Sequence, residues 1–152
     1  MEITVKIEGM DRINRATGVA RKAIAEELNK GLFAVAKKVE GETKRSILNG
    51  QKSGRFYRRR TVVHRASAPG EAPASDTGRL VNSINSTVET AKAEAVIKAG
   101  GGLVRYARML EFGTAKMAAR PFLFPTVERL RNWIVERLNK SLRDGLIKAV
   151  RR

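Results

Sequence analysis

The first residues alternate between apolar and polar side chains, which is typical of a strand with one buried face. Ile3, Val5 and Ile7 fall on one side of residues 2–8, and polar side chains fall on the other. Asp11 follows this segment and is predicted to cap the helix that comes next.

Between Val19 and Leu48 the apolar positions recur every three or four residues, which predicts a long amphipathic helix. Gly31 and Gly41 interrupt it at a cost of about 1 kcal/mol each relative to alanine. Gly41 is therefore predicted to mark a bend or a point of close packing. The predicted buried stripe consists of Ile24, Leu28, Leu32, Val35, Val39, Thr43 and Ile47.

A second stripe predicts a final helix from about Pro125 to Val150. Proline is accepted in a first helical turn because its missing N–H would have no partner there. The stripe consists of Val127, Leu130, Ile134, Leu138, Leu142 and Leu146, with Trp133 on its flank.

The middle of the chain predicts shorter elements. Residues 84–89 and 93–99 read as the two strands of a hairpin, preceded by a helical turn at 79–83 that residues 75–78 are expected to cap. Three glycines at 100–102 predict a turn or hinge. The order of elements indicates an α+β fold, in which a small, mostly antiparallel sheet packs against a long N-terminal helix and a C-terminal helix. We expect residues 1–152 to form a single domain.

Residues 50–78 are predicted to be the least regular part of the chain, with 61–64 as a short strand. A basic half with two aromatic residues precedes a half rich in Ala, Pro, Ser and Gly. Such a long irregular loop is either functional or ordered only by a partner. Its basic residues either follow a phosphate backbone or pair with acids of a neighbouring subunit. These candidate DNA- or partner-contacting residues are Lys52, Arg55, Arg58, Arg59, Arg60 and Arg65.

The overall charge points to an acidic partner. The chain has 31 basic and 15 acidic residues, a formal net charge of +16, and a domain with that excess repels itself. Nucleic acid or an acidic assembly partner is favoured over an anionic membrane, since no predicted helix pairs a wide, bulky apolar face with an interfacial Trp/Lys pattern. No apolar run approaches the ~18 residues of a membrane span. The N-terminus shows no secretory signal.

The chain has few side chains of the types that commonly act in catalysis or bind metal ions. The absence of Cys removes disulfides, thiolate catalysis and Cys-ligated zinc. His64 is the only histidine and is interpreted as a surface residue, because a metal site needs further ligands. We therefore predict no catalytic, metal or cofactor site, and a small nuclease or toxin is disfavoured.

Residues 106–128 form the most unusual stretch. A short apolar turn leads into Phe112-Gly113-Thr114, and Pro121 and Pro125 bracket the start of the last helix. A salt bridge between Glu111 and Arg120 is predicted to cross the turn. Three of the five phenylalanines lie here and are predicted to anchor the core and a subunit contact: Phe112, Phe122 and Phe124.

Together these stretches resemble the small neck proteins of long-tailed bacteriophages, also called head–tail joining, tail-completion or minor tail proteins. The resemblance covers the central and C-terminal half of the chain. The shared motifs are Pro69-Gly70 with Pro73, Gly78-Arg79-Leu80, Tyr106-Ala107, Glu111-Phe112-Gly113-Thr114 and Arg120-Pro121-Phe122-Leu123.

The resemblance implies a virion structural protein without catalytic activity. It would be assembled in the host cytoplasm into a homo-oligomeric ring, expected to be sixfold, at the head–tail junction. Connector or stopper, tail-terminator and tail-tube proteins would be its neighbours, and double-stranded DNA would pass through its channel. The motif implied for fold and subunit interface is Tyr106, Glu111, Phe112, Gly113, Thr114, Arg120, Pro121 and Phe122.

The cluster at 58–60 is not part of that family pattern, so its assignment to DNA or to an acidic protein stays open. The alternative function is a free-standing basic protein that binds nucleic acid without sequence preference.

Overall fold

The computed structural model describes residues 1–8 and 18–151. The predicted cap at Asp11 lies outside these residues. The predicted long helix is confirmed as α1, Gly18–Asn49, and the predicted final helix is confirmed as α4, Phe124–Val150. Two short helices lie between them, α2 at Arg79–Asn82 and α3 at Ala107–Phe112.

Two antiparallel sheets complete the α+β fold. The first has the strand order β1-β5-β4, with β1 at Glu2–Lys6, β4 at Asn85–Glu89 and β5 at Glu94–Lys98. The second pairs β2, Phe56–Arg59, with β3, Val62–Arg65. The predicted strands at 2–8, 84–89 and 93–99 are thereby confirmed, with ends shifted by one or two residues.

The described chain divides into two compact units. The hairpin unit comprises Met1–Glu2, Val39–Asn85 and Lys98–Arg129. The sheet unit comprises the described parts of Ile3–Lys38, Ser86–Ile97 and Leu130–Arg152.

The core of the sheet unit joins both long helices to the sheet. Leu32 and Ala36 of α1 are buried against Ala95 of β5, and Val5 and Leu138 pack against the same cluster. The predicted stripe of α1 is confirmed throughout, because each of its seven members is buried, including the polar Thr43. Thr43 is satisfied locally by donating its hydroxyl to the Val39 carbonyl at 2.7 Å.

The predicted stripe of α4 is wrong at its C-terminal end. Leu146 is half exposed, whereas Ser141 and Gly145 are buried. A Cβ on Gly145 would lie 2.8 Å from the Ile24 Cα, so this face of α4 approaches the α1 backbone too closely for a larger residue. Small side chains, not leucines, therefore form the contact between α1 and α4 at this end. We call this contact the seam.

The close approach on α1 lies at Gly31 and not at Gly41. A Cβ on Gly31 would lie 2.9 Å from the Ser141 Cβ, whereas nothing lies within 4 Å of one on Gly41. The expectation that Gly41 is a packing point is wrong, because that position is open.

Alanine at Gly145 and at Gly41 should therefore change stability in opposite directions. Gly145→Ala forces the helices apart and should lower the free energy of unfolding by about 1–3 kcal/mol. Gly41→Ala should raise it by about 0.4–1 kcal/mol, because alanine has less backbone freedom to lose on folding. Denaturant unfolding of both variants checks the pair, and a stabilised Gly145→Ala protein would contradict the seam.

Candidate functional site: an arginine-rich hairpin and its support

The basic half of the 50–78 segment is a β-hairpin. Phe56 pairs with Arg65 and Arg59 pairs with Val62, which leaves Arg60 and Thr61 as a two-residue turn. The expectation of a largely irregular segment is wrong here, although the short strand predicted at 61–64 corresponds to β3.

The register sorts the side chains onto two faces of the hairpin, since cross-strand partners share a face and neighbours along a strand alternate. The Asp76 face is named for the residue it contacts, and it consists of Tyr57, Arg59, Val62 and His64. The open face consists of Phe56, Arg58, Val63 and Arg65.

The Asp76 face is tied to the loop that precedes α2. Arg59 forms an ion pair with Asp76, and His64 Nε2 lies 3.5 Å from the same carboxyl group. The Tyr57 and His64 rings stack with their centroids 5.6 Å apart. The N-cap of α2 is Gly78, which lies within the predicted stretch 75–78, but no side chain forms a cap hydrogen bond there, and Asp76 contacts the hairpin instead.

The open face carries apolar and cationic side chains together. Phe56 and Val63 are 67% and 56% exposed, which is high for residues of their type. The Arg65 guanidinium lies 5.0 Å from the Phe56 ring centroid, within cation–π range. Its Nε donates to the Gly54 carbonyl at 3.2 Å, which uses one of five N–H donors. Among the described residues, Arg58 has no acidic partner.

Arg60 sits at the tip of the hairpin in a left-handed backbone conformation, with φ at 56°. This conformation costs a non-glycine residue about 1–2 kcal/mol, and Gly or Asn is the usual choice in such turns. An exposed arginine at this position therefore gives the hairpin a charge at the expense of its own stability.

Lys52 belongs to the support of the hairpin and not to its exposed surface. The side chain is half-buried, and its Nζ donates to the Ala72 carbonyl at 3.3 Å. Burial lowers the pKa of Lys52 from its ordinary value, and Glu71 offsets part of that shift. Of the six predicted contact residues, four are exposed on the hairpin or at its base and have no acidic partner within residues 1–8 and 18–151: Arg55, Arg58, Arg60 and Arg65.

Glu71 ties the base of the hairpin to the proline-rich loop. Its carboxylate accepts from the Ser53 N–H at 2.9 Å and from the Ala68 N–H at 2.8 Å, and it also bonds the Ser53 hydroxyl. The Ser53 hydroxyl bond first, and then the two N–H bonds, lower the pKa of Glu71 to about 2.

The proline-rich loop is joined in turn to the 106–128 stretch. The Gly70 N–H donates to the Ala119 carbonyl at 2.9 Å, and Arg120 Nε donates to the Ser67 carbonyl at 3.3 Å. Thus the proline-rich loop and the 106–128 stretch, which are far apart in sequence, meet through one backbone hydrogen bond and one bond from a side chain to the backbone.

Glu111 holds the centre of this stretch. The buried carboxylate accepts from the N–H groups of Phe122, Leu123 and Phe124 at 2.8, 3.1 and 2.8 Å. These N–H groups lie at the start of α4, whose first turn contains no acidic residue of its own. We call this arrangement the Glu111 cap. The predicted Glu111–Arg120 salt bridge is wrong, because the carboxylate is occupied by backbone donors.

A tight loop brings the two halves of the Glu111 cap together. Gly113 has φ at 75°, and a Cβ there would lie 2.8 Å from the Met117 carbonyl oxygen, so glycine is required. Thr114 pairs with Met117 in an antiparallel bridge. The Arg120 N–H then donates to the Leu110 carbonyl, which returns the chain to α3.

The three phenylalanines of the motif have different environments. Phe122 is fully buried, whereas Phe112 and Phe124 are 58% and 48% exposed. Their two rings contact each other, with centroids 5.6 Å apart and an angle of 60°. Tyr106 is also partly exposed, and Pro121 is half-buried. The motif therefore has one core anchor and a surface aromatic pair.

Sequence reasoning missed Glu71 and Asp76 as organising residues. Both are acids in a loop whose other charged neighbours are basic, and that contrast was the available signal. It does not say which donors each acid meets, because Ser53 lies 18 residues from Glu71.

The described residues contain neither a metal cluster nor a membrane-spanning helix. Within residues 1–8 and 18–151, no group of three or more His, Cys, Asp or Glu side chains is placed to hold a metal ion. No helix in the same ranges is both long and apolar enough to cross a membrane.

Comparison with known proteins assigns neither a family nor a function to this chain. No protein-family model, curated protein or solved structure matches this chain. The resemblance to phage neck proteins therefore stays a prediction that rests on the motifs themselves.

Removing the Glu111 carboxylate should destabilise the protein strongly. Glu111→Ala leaves three N–H groups without their acceptor, at about 1–3 kcal/mol for each one that is buried, so we expect a loss of about 3 kcal/mol or more. Glu111→Gln keeps one acceptor oxygen and should lose less. Glu136→Ala, at an exposed position of α4, is the control and should stay within about 0.5 kcal/mol of the parent in denaturant unfolding. Equal stability of the two alanine variants would contradict the cap.

The Glu71 contacts should persist in acid below the range of an ordinary glutamate. Because the pKa is lowered to about 2, these contacts stabilise the loop fully above the ordinary pKa of 4.5 and are lost as pH falls through about 2. The amide NMR signals of Ser53 and Ala68 should therefore hold their positions down to about pH 4. Glu71→Gln removes the titrating group and serves as the control. A half-change near pH 4.5 in the parent protein would contradict the assignment.

Proposed function

We propose that this protein is a structural virion protein that forms a ring at the head–tail junction of a long-tailed phage. The ring joins the tail to the capsid connector and surrounds the channel through which the DNA passes. The protein has no catalytic role, and its neighbours are the connector or stopper, tail-terminator and tail-tube proteins. It is assembled in the host cytoplasm and resides in the neck or tail of the virion.

The observation that carries the proposal is the Glu111 cap together with the exposed aromatic pair beside it. The Glu-Phe-Gly-Thr and Arg-Pro-Phe-Leu motifs meet there, because Glu111 of the first motif accepts from the backbone N–H groups of Phe122 and Leu123 in the second and of Phe124 beyond it. A carboxylate that accepts three backbone hydrogen bonds has a structural role, because it fixes the path of the chain. The same geometry leaves Phe112 and Phe124 at the surface, and aromatic residues of this kind dominate subunit contacts.

A closed ring requires a heterologous contact, in which one face of each subunit meets a different face of the next. The pair formed by Phe112 and Phe124 supplies one such face. The arginine-rich hairpin belongs to the same unit but carries positive charge instead, so the two surfaces suit different neighbours.

The aromatic pair is tested by a matched substitution. Phe112→Ser should abolish the oligomer while leaving the subunit folded, because the ring is 58% exposed and contributes little to the core. Phe33→Ser is the control, since Phe33 is 57% exposed on α1. Native mass spectrometry should find about 101 kDa for six copies of the 16.8 kDa parent chain and of the Phe33→Ser variant.

Phe112→Ser should instead give a single-chain mass with unchanged circular dichroism. An oligomer that survives in Phe112→Ser would remove the aromatic pair from the subunit contact. A parent chain that stays monomeric would contradict the ring itself.

A second function, a free-standing protein that binds nucleic acid without sequence preference, is favoured by the unpaired arginines of the hairpin. It requires the monomer to bind tightly and in a salt-dependent manner. Measuring affinity and molecular mass in the same samples separates the two functions, because the ring protein needs only weak contacts multiplied by its number of subunits.

A further inference from the structure

Among the residues that the structure describes, no acid forms an ion pair with the open face of the hairpin. Residues 50–65 contain none, and the next two acids along the chain are Glu71 and Asp76. Glu71 is bound to Ser53 and Ala68, and Asp76 is bound to Arg59 and His64 on the other face. Within the described part of the chain, the arginines of the open face, the tip and the base are therefore left without an acidic partner.

A second copy of the chain offers few acids to this face. Many acidic side chains already form ion pairs with Lys or Arg within their own unit: Glu2, Glu27, Glu40, Glu42, Asp76 and Glu94. Glu111 is buried in its cap. With 31 basic and 15 acidic residues, a second copy is a poor source of negative charge for this face, whatever contact other faces make. The partner must therefore bring its own dense negative charge.

The shape of the hairpin narrows the class of polyanion. Two antiparallel strands lie about 4.8 Å apart, and four residues per strand span about 14 Å. The major groove of B-form DNA is about 12 Å wide and admits a two-stranded ribbon. The major groove of duplex RNA is deep and narrow, and side chains do not reach into it.

The arginines are spread along the hairpin from its base to its tip. Arg58 and Arg65 lie on the open face, Arg60 lies at the tip, and Arg55 precedes β2 at the base. The Arg65 guanidinium lies over the Phe56 ring, 5.0 Å from its centroid. A guanidinium binds phosphate through paired N–H donors, which suits arginine better than lysine.

We propose that the open face of the β2–β3 hairpin binds the major groove of B-form duplex DNA, with Arg55, Arg58, Arg60 and Arg65 on the phosphates. The contact is independent of base sequence, since these arginines meet the backbone. It gives a location to the DNA contact of the proposed ring, but it does not depend on ring formation, because every residue involved lies in one chain.

Fluorescence anisotropy with a labelled 20-base-pair DNA duplex tests the proposal across a salt series. Four phosphate contacts predict a log–log slope of affinity against salt of about −3.6. Duplex RNA of the same length should bind about tenfold more weakly or worse, because its major groove does not admit the ribbon. Poly-glutamate serves as the probe for an acidic protein partner and should bind more weakly than the DNA duplex.

Two substitutions connect the binding to the open face. Arg58→Gln should reduce the magnitude of the slope by about 0.9. Arg143→Gln removes the same charge from an exposed site on α4 and should leave the slope unchanged. Arg60→Gly should weaken DNA binding while raising the midpoint of thermal unfolding, because glycine adopts the left-handed conformation of the tip without strain. Opposite changes in these two properties exclude misfolding as the cause of weaker binding.

The inference would be overturned by equal affinity for duplex RNA and duplex DNA, by equal slopes for Arg58→Gln and Arg143→Gln, or by tighter binding to poly-glutamate than to DNA. The mass of the oligomer is measured in the same samples. Rings that do not bind duplex DNA would overturn this inference and support the proposed ring. A monomer that binds duplex DNA would support this inference and contradict the proposed ring.

Discussion

The hairpin unit depends on one carboxylate placed at the start of a helix. The first N–H groups of α4 have no carbonyl acceptors within the helix, and Pro125 removes one of those donors. Glu111 accepts from three consecutive N–H groups, so it connects α3 to α4 and fixes the path of the loop between them. The return of the chain requires glycine at position 113, where the backbone passes too closely for a side chain. The spacing between the two sequence motifs is therefore set by the length of loop that closes the cap.

The same use of acids explains the surface that remains. Glu71 and Asp76 are each bound by several donors within the hairpin unit, and Glu42 pairs with both Arg45 and Arg129. Acids with these partners are not available to the arginines on the open face of the hairpin. The chain has about twice as many basic as acidic residues, so the hairpin has one face neutralised by Asp76 and one cationic face. That asymmetry, together with the exposed aromatic pair, is the physical basis of the proposed assembly.

The sequence predicts the elements that depend on periodic burial. The stripe of α1 and the strands of the first sheet follow from spacing, because local geometry places those residues on one face. The contacts that position the candidate site depend on partners far along the chain. Glu111 reaches a residue 11 positions away, and Ser53 meets Glu71 across 18. A single acid carries no periodicity, so the sequence leaves its partner open, and Arg120 was the wrong choice.

The seam of α4 shows a second limit. Leu146 fits the apolar period, but helix α1 comes close at Ser141 and Gly145 and leaves Leu146 at the surface. Hydrophobicity identifies which face of a helix is buried, whereas the distance between backbones decides which residues of that face fit. Such a distance is set by the whole of the packed unit and is not encoded in any one segment.

The central claim is that copies of this chain assemble side by side into a closed ring around a central channel. Electron microscopy of the purified 152-residue chain tests it most directly. The account predicts closed rings in class averages, with a central hole wide enough for a DNA duplex. Single subunits, or twofold dimers without a hole, would contradict it.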